Sequence, residues 1–243
     1  MDWTITAIAQ IETDFTDKFG IPRQSGLVPE LTARIVFAPA FRDPNALNGI
    51  EQFSHLWLIW QFSDVAAQNK PWRPTVRPPR LGGNTRLGVF ATRSPYRPNA
   101  MGLSCVELAG VDRAAPDGPV LLVRGADLKN GTPIFDIKPY LPYTDCRPAA
   151  RGGFAEQHKT DGLRVKFPPA LLERVPPDKR AALCGVLAGD PRPAYQNDPD
   201  RVYALDFAGL TVRFRAADGA AQVVDVQPAA PGTAALGGVV PLL

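Results

Sequence analysis

The stretch HLWLIWQF, residues 55–62, is a strand-sized apolar run built mainly from tryptophan, leucine and isoleucine. Aromatic and β-branched residues favour strands, and the run is far shorter than the eighteen or more apolar residues that a membrane-spanning helix needs. Because nearly every position is apolar, it predicts a central strand that is covered on both sides. We therefore expect the core of the first half of the chain to form around it.

Six further stretches have the pattern of strands: TITAIAQI, LTARIVFA, LGVFATR, GLSCVEL, PVLLVRG and PIFDIKPY. In LTARIVF, apolar Leu31, Ala33, Ile35 and Phe37 alternate with polar or intervening positions, which indicates one buried face. No helical pattern of ten or more residues precedes about residue 165. Strands without helical crossovers predict a mainly β protein with a single-sheet antiparallel β-barrel, not a doubly wound sheet.

The character of the sequence changes after Tyr143, where a polar, Gly-rich segment begins. This change divides the chain into a barrel domain at 1–145, a linker at 146–164 and a small α+β C-terminal domain at 165–243. The barrel domain is thus expected to be the larger unit.

Two patterned stretches occupy the C-terminal domain. PPDKRAALCGVLAGD, residues 176–190, predicts a helix that ends at Asp190 and Pro191. VYALDFAGLTVRFRA, residues 202–216, predicts a hairpin, and the Ala- and Gly-rich stretch at 229–243 predicts a loosely held tail.

Composition narrows the class of protein. The 243 residues are 45% hydrophobic and 21% charged, which is ordinary for a soluble globular chain. Three cysteines, far apart in sequence, and two histidines argue against a disulfide framework and against a usual zinc site. The N-terminus lacks the basic head and apolar middle of a signal peptide. We expect a cytoplasmic protein with no membrane segment and no metal.

The net charge is only +3, but the cations are clustered. No acidic residue lies between Val65 and Val106, and such a window creates a positive field suited to phosphate or another polyanion. A solvated loop face is the alternative interpretation. The cations of the window are Lys70, Arg73, Arg77, Arg80, Arg86, Arg93 and Arg97.

Two other segments present polar side chains in a defined way. In FGIPRQSGL, residues 19–27, the proline and glycine shape a loop that presents Arg23 and Gln24, unless it is a plain surface turn. In PIFDIKPYL, Asp136, Lys138 and Tyr140 alternate and so share one strand face. That face is either an exposed salt-bridge ladder or a surface that orients a polar substrate.

Other site types find little support. The glycines match neither a phosphate loop nor a dinucleotide fingerprint, so a nucleotide-binding fold of that kind is not predicted. His55, just before the apolar run, is interpreted as a core histidine with a satisfied hydrogen bond.

Six motifs occur in a fixed order: IPRQSGL, EQFSHLW, WRPTVRPPRLGGN, GVFATRSPYRPN, GLSCVEL and GTPIFDIKPYLPY. Together they resemble the TsaA-like family from about residue 5 to residue 145, and DPRPAY at 190–195 resembles its bacterial C-terminal domain more weakly. The resemblance departs at Ala100 and Met101, where the family has proline and isoleucine, and at Asn130, where it often has aspartate.

The resemblance implies a single-sheet barrel that binds S-adenosylmethionine and acts as a homodimer on tRNA. The implied reaction methylates the exocyclic nitrogen of threonylcarbamoyladenosine, just 3′ of the anticodon. Ser63 stands where the family often has histidine. Carried over motif by motif, the cofactor contacts are Pro22, Arg23, Gln24, Phe62, Ser63, Arg93, Leu103, Arg124, Gly125, Ala126 and Asp127.

Our mechanistic hypothesis assigns the catalytic roles to one strand. Asp136 accepts or orients the proton of the acceptor nitrogen, while Lys138 and Tyr140 fix the threonyl carboxylate or a phosphate. Arg97 holds the nearby turn or the tRNA backbone. Two alternatives stay open: an RNA-binding barrel without catalysis, and a methyltransferase for a small-molecule acceptor.

Overall fold

The computed structural model describes residues 4–68, 71–78, 85–157, 162–192 and 198–230. Within these ranges twelve strands are numbered in chain order. They are β1 (Ala9–Glu12), β2 (Thr32–Phe37), β3 (His55–Gln61), β4 (Thr75–Val76), β5 (Leu87–Gly88), β6 (Met101–Asp112), β7 (Val120–Arg124), β8 (Thr132–Pro139), β9 (Arg164–Lys166), β10 (Tyr203–Phe207), β11 (Leu210–Ala217) and β12 (Ala220–Pro228).

The described residues also form five α-helices between the strands, and four of them are a single turn. They are α1 (Ser63–Ala66), α2 (Pro142–Asp145), α3 (Phe154–Gln157), α4 (Pro169–Leu172) and α5 (Arg180–Ala188). In the described ranges, no helix has the length and apolar character that crossing a membrane requires.

A closed antiparallel barrel forms from six strands in the order β1-β2-β7-β6-β3-β8, with β8 pairing back to β1. Closure leaves no open sheet edge, so every strand of the ring has two hydrogen-bonded neighbours. The predicted fold class, a mainly β chain with an antiparallel barrel and a small second region, is confirmed.

The apolar run at 55–62 forms β3, but it is covered less completely than predicted. Leu56, Leu58 and Trp60 point into the barrel and are buried, whereas Trp57 and Ile59 on the outer face stay partly exposed. In a barrel one face of each strand points inward and the other outward. His55 lies at the exposed start of this strand and shares a hydrogen bond with Ser54, so its assignment to the core was wrong.

The stretch LGVFATR, predicted as a strand, is mostly a turn. Only Leu87 and Gly88 are in a strand, paired with β4, and a 3-10 turn follows at Val89–Ala91. Thr92 closes this turn because both its backbone amide and its hydroxyl donate to the carbonyl of Val89. The turn leaves the ring of Phe90 in solvent.

The C-terminal region contains the predicted helix and hairpin, as α5 and β10–β11, within a larger sheet of order β10-β11-β12-β9. The helix stops before Asp190, as expected. Strands β9 and β12 were not predicted. The hydrophobic core of this region also includes Phe15, Val28 and Leu31, which come from the connection between β1 and β2.

The Trp60 ring leaves no room for a side chain at Gly102 in β6. A Cβ at this position would lie 2.3 Å from the Trp60 ring, because the two residues are paired across β3 and β6. A contact this short forces the indole or the backbone to move.

Gly102→Ala is therefore expected to lower the free energy of unfolding by about 1–3 kcal/mol, the usual cost of overpacking a core. Urea unfolding measures it. Gly110→Ala in the same strand is the matched control, since its Cβ would meet only Leu122 at 3.9 Å. Equal effects of the two substitutions would show that the Trp60 contact does not constrain the strand.

Candidate functional site

A cavity of about 780 Å³ lies at the end of the barrel where β3 ends and β6 begins. Its volume is in the range of small-molecule sites. The walls come from the loop after β1, the end of β3 with α1, the segment before β6 and the segment after β7. The lining residues include Ile21, Pro22, Arg23, Gln24, Ile59, Phe62, Ser63, Thr92, Arg93, Tyr96, Arg97, Leu103, Asp127 and Lys129.

The loop that contributes Pro22 and Gln24 is fixed to the barrel by backbone contacts. The amide of Gly26 donates to the carbonyl of Gly125 at 2.8 Å, and the amide of Cys105 donates to the Ser25 hydroxyl at 3.1 Å. Gly125 has φ +71°, and a Cβ there would lie 3.2 Å from Gly26. A glycine therefore allows the loop to approach this closely.

The same loop is also fixed to the C-terminal region. The guanidinium of Arg23 donates to the backbone carbonyls of Asp190 and Arg192, both at 3.1 Å. Those carbonyls are held because the side chain of Arg192 pairs with both carboxylate oxygens of Asp190, at 2.8 and 3.0 Å, and donates to the carbonyl of Ala216. The segment Asp190–Arg192 thus fixes Arg23, and with it one wall of the cavity, through these two hydrogen bonds.

Beneath the cavity runs a chain of polar groups. The indole Nε1 of Trp60 donates to the Ser104 hydroxyl at 2.9 Å, and that hydroxyl donates to Asp127 Oδ1 at 2.5 Å. Trp60 and Ser104 are buried. The chain satisfies both buried donors and fixes the carboxylate of Asp127 at the cavity wall.

Burial raises the pKa of the Asp127 carboxyl above its ordinary value. The hydrogen bond from Ser104, backbone amides and the positive charge of Arg93 oppose this shift without cancelling it. A carboxyl in this setting favours a cationic ligand group, because such a group would compensate the buried charge.

Two arginines shape the segment before β6. Arg93 contacts the side-chain oxygen of Gln24 and so bridges two walls of the cavity. Arg97 donates to the carbonyls of Thr92 and Ser94, at 3.2 and 3.4 Å, and so holds the turn itself.

Comparisons with known proteins identify the family. Residues 10–146 match the family model of the tRNA-methyltransferase O N-terminal domain, and residues 161–229 match the model of the TrmO C-terminal domain. The chain belongs to the tRNA-methyltransferase O family. Its similarity spans both regions of the chain.

Named relatives cover nearly the whole chain. An Escherichia coli K12 protein named tRNA (adenine(37)-N6)-methyltransferase is 38% identical over 229 residues, which is 91% of this chain and 96% of that protein. A Pseudomonas aeruginosa protein named putative S-adenosylmethionine-dependent methyltransferase is 40% identical over 232 residues, 88% and 93% of the two chains. The crystal structure of TrmO from Pseudomonas aeruginosa superposes with a TM-score of 0.74 at 31% identity, covering 93% of this chain and 100% of that one.

The cavity brings together eight of the eleven residues that the family resemblance implied for the cofactor. The other three do not line it: Arg124 pairs with Glu107 at 3.6 Å, and Gly125 and Ala126 are buried. The eight residues at the wall are Pro22, Arg23, Gln24, Phe62, Ser63, Arg93, Leu103 and Asp127.

Sequence reasoning missed several wall residues. Ile59 reaches the cavity because β3 turns alternate residues outward, and a barrel assignment applied to HLWLIWQF could have found it. Lys129 lies at the wall and pairs with Asp64 at 3.0 Å, a contact between two segments that no local pattern indicates.

Asp136, Lys138 and Tyr140 lie outside the cavity. Asp136 and Lys138 form an ion pair at 3.1 Å on the outer face of β8, and the ring of Tyr140 packs against Trp57 with 5.8 Å between centroids. Asp136 is nevertheless the ladder partner of Ile59, which lines the cavity. Of the three, only Asp136 neighbours a residue of the cavity wall, whereas Lys138 and Tyr140 lie beside Trp57, further from the cavity along β3.

The cations of the basic window lie only partly within the described residues. Arg73, Arg77 and Arg86 line a second cavity beside the first, whereas Lys70 and Arg80 lie outside the described residues. Among the described residues, no group of three His, Cys, Asp or Glu side chains could hold a metal ion.

The raised pKa of Asp127 makes the stability of the protein depend on pH. Because the pKa in the folded state exceeds the ordinary value of 3.8, this group contributes full stability below 3.8 and loses that contribution as pH rises through its folded-state value. Asp127→Asn removes the ionisation. Relative to the wild type, the variant is expected to become more stable against unfolding as the pH rises from about 4 to about 7.

Urea unfolding at both pH values measures this difference. Asp136→Asn is the matched control, since that exposed carboxylate is ion-paired on the barrel surface. A difference for Asp127→Asn that does not change with pH would contradict a raised pKa.

Proposed function

We propose that this protein transfers a methyl group from S-adenosylmethionine to the exocyclic nitrogen of threonylcarbamoyladenosine at position 37 of tRNA. The observation that carries the proposal is the cavity wall, where eight motif residues from distant parts of the sequence meet. The name of the Escherichia coli relative, an adenine(37)-N6 methyltransferase, supports the acceptor atom. The threonylcarbamoyl group is the finer part of the proposal and rests on the family resemblance.

The residues of the cavity fit the groups of this cofactor. Phe62 and Leu103 offer apolar surface for the adenine, and Arg93 offers donors for the carboxylate of the methionine part. The carboxylate of Asp127 is partly buried and, among the described residues, has no cation at hydrogen-bond distance, so it suits the ammonium or the sulfonium charge. When bound, S-adenosylmethionine supplies a methyl group already activated by the positive sulfur, so the protein chiefly has to align the reactants.

The acceptor nitrogen carries a lone pair that is delocalised into the purine and the carbamoyl group. Losing its proton near the transition state would raise its nucleophilicity. Asp136, the ladder partner of Ile59 at the cavity wall, accepts or orients that proton in this proposal. Lys138 and Tyr140, on the same outer face, provide a cation and a phenol for the threonyl carboxylate.

A homodimer in the cytoplasm, where tRNA is modified, is part of the same proposal. Leu103 is 56% exposed at the cavity wall, and Tyr143 is exposed beyond the end of β8. A second copy of the chain would cover this apolar surface. Light scattering of the purified protein measures the mass of the particle, and a monomer at micromolar concentration would contradict this part.

Methyl transfer to purified tRNA tests the reaction. The protein is incubated with labelled S-adenosylmethionine and with the same tRNA made with or without the threonylcarbamoyl group, and the nucleosides are separated by mass spectrometry. The proposal predicts a methylated threonylcarbamoyladenosine in the first sample and no product in the second.

Other outcomes separate the alternatives. Methylation of unmodified adenosine 37 would keep the class of enzyme and remove the threonylcarbamoyl requirement. Binding of the cofactor without transfer to either tRNA would point to a small-molecule acceptor. Binding of RNA without the cofactor would make the chain a binding module.

Asp136→Asn tests the proposed proton acceptor. The amide keeps the size of the side chain but cannot accept a full proton, so single-turnover methylation is expected to fall about 100-fold or more. Affinities for S-adenosylmethionine and for tRNA should stay at the wild-type level, which titration calorimetry measures. Turnover at the wild-type rate would leave Asp136 only its ion pair with Lys138.

Arg77→Gln tests whether the basic window contacts tRNA phosphates. Each lost phosphate contact should reduce the slope of log affinity against log salt by roughly 0.7, by analogy with single strands. Arg34→Gln is the matched control, because Arg34 lies outside the window and pairs with Glu12 at 2.7 Å. An unchanged slope for Arg77→Gln means that this arginine faces away from the RNA.

A further inference from the structure

A second cavity, of about 860 Å³, adjoins the first. The two share one wall, formed by the segment from Thr92 to Arg97 and by Val65 and Gln68 of the α1 region. The far wall comes from residues 71–78 and from Arg86, on either side of the small β4–β5 pair. A ligand in the second cavity would therefore lie beside whatever occupies the first.

Exposed aromatic rings lie at this cavity and next to it. Trp72 lines the cavity and is 50% exposed. Phe90 does not line it, but is 73% exposed and packs beside Trp72, with 6.2 Å between the ring centroids and 31° between the planes. Tyr96, also exposed, lies on the shared wall. Rings of this size normally gain stability by burial, so a group of them left in solvent indicates a surface that binds something flat and apolar.

Arginines surround these rings. Arg73, Arg77 and Arg86 line the far wall and Arg93 the shared wall, and no carboxylate lines the cavity among the residues that the structure describes. Guanidinium groups bind phosphate oxygens through two parallel hydrogen bonds and also stack on bases. The surface therefore combines a stacking platform with anion donors.

We infer that the second cavity binds an unpaired RNA nucleotide that neighbours the methylated one, with its base stacked on the Trp72–Phe90 platform and its phosphate held by the arginines. Proteins recognise RNA loops by splayed bases on aromatic rings and arginine planes, which matches this combination of side chains. The second cavity shares a wall with the proposed cofactor site. This position suits the neighbour of the acceptor nucleotide, because that neighbour has to lie close to the methyl donor. The inference rests on the proposed function for its ligand.

The experiment compares platform variants of the full-length protein. Trp72→Ala and Phe90→Ala are each titrated with a fluorescent anticodon stem-loop and, separately, with S-adenosylmethionine. Loss of one stacked base should weaken RNA binding by roughly 5- to 150-fold, and Trp72→Phe should restore most of it. Affinity for S-adenosylmethionine should not change.

Phe41→Ala is the matched control. Phe41 is another exposed ring, at 39%, that lines neither cavity and, unlike Phe90, does not pack beside the Trp72 ring. The Phe41→Ala variant should bind RNA as the wild type does. The inference is overturned if Trp72→Ala and Phe90→Ala both keep wild-type RNA affinity, or if Trp72→Phe binds as weakly as Trp72→Ala.

A short single-stranded RNA without the stem separates this inference from the proposed function. If the wild-type protein methylates no tRNA but binds the single strand in a way that requires Trp72, the proposed reaction fails and the nucleotide site stands. If the protein methylates tRNA and the platform variants do so with unchanged kcat and KM, the reaction stands and the nucleotide site fails.

Discussion

The chain of hydrogen bonds from Trp60 through Ser104 to Asp127 joins three segments that the rest of the site depends on. Trp60 ends the apolar part of β3, Ser104 lies in β6, and Asp127 follows β7. Since both donors are buried, breaking any link would leave an unsatisfied polar group in the barrel core, at a cost of about 1–3 kcal/mol. The same chain places a carboxylate at the cavity wall, so barrel stability and ligand chemistry are coupled.

The C-terminal region contributes to the cavity through the connection between β1 and β2. Phe15, Val28 and Leu31 are buried in the C-terminal core, and the Cβ that Gly20 lacks would lie 2.1 Å from a methyl group of Leu205. The connection is thus packed against the C-terminal sheet before it reaches the cavity at Arg23. A barrel without that sheet would hold this wall by the contacts of Gln24, Ser25 and Gly26.

Patterns within a strand predicted the fold well, whereas contacts between distant segments did not follow from the sequence. Apolar patterns found the six barrel strands, although LGVFATR was wrongly predicted as a strand. The spacing of Asp136 and Lys138 placed both on one face, where they form an ion pair. Strand β12 was missed because a bulge opposite Arg213 and Phe214 interrupts its alternation. The contact of Arg23 with Asp190 spans 167 positions, and no local pattern could indicate that the guanidinium binds backbone carbonyls.

Hydrogen–deuterium exchange with and without S-adenosylhomocysteine tests the central claim, that the cavity where β3 ends and β6 begins is the cofactor site. This compound is the methyl donor after loss of its methyl group, so it fills a methyl-donor site without reacting. We expect slower exchange in the segments around residues 21–26, 62–68 and 92–103, which form the walls of the cavity. Protection confined to other parts of the chain, or none at a saturating concentration, would contradict the account.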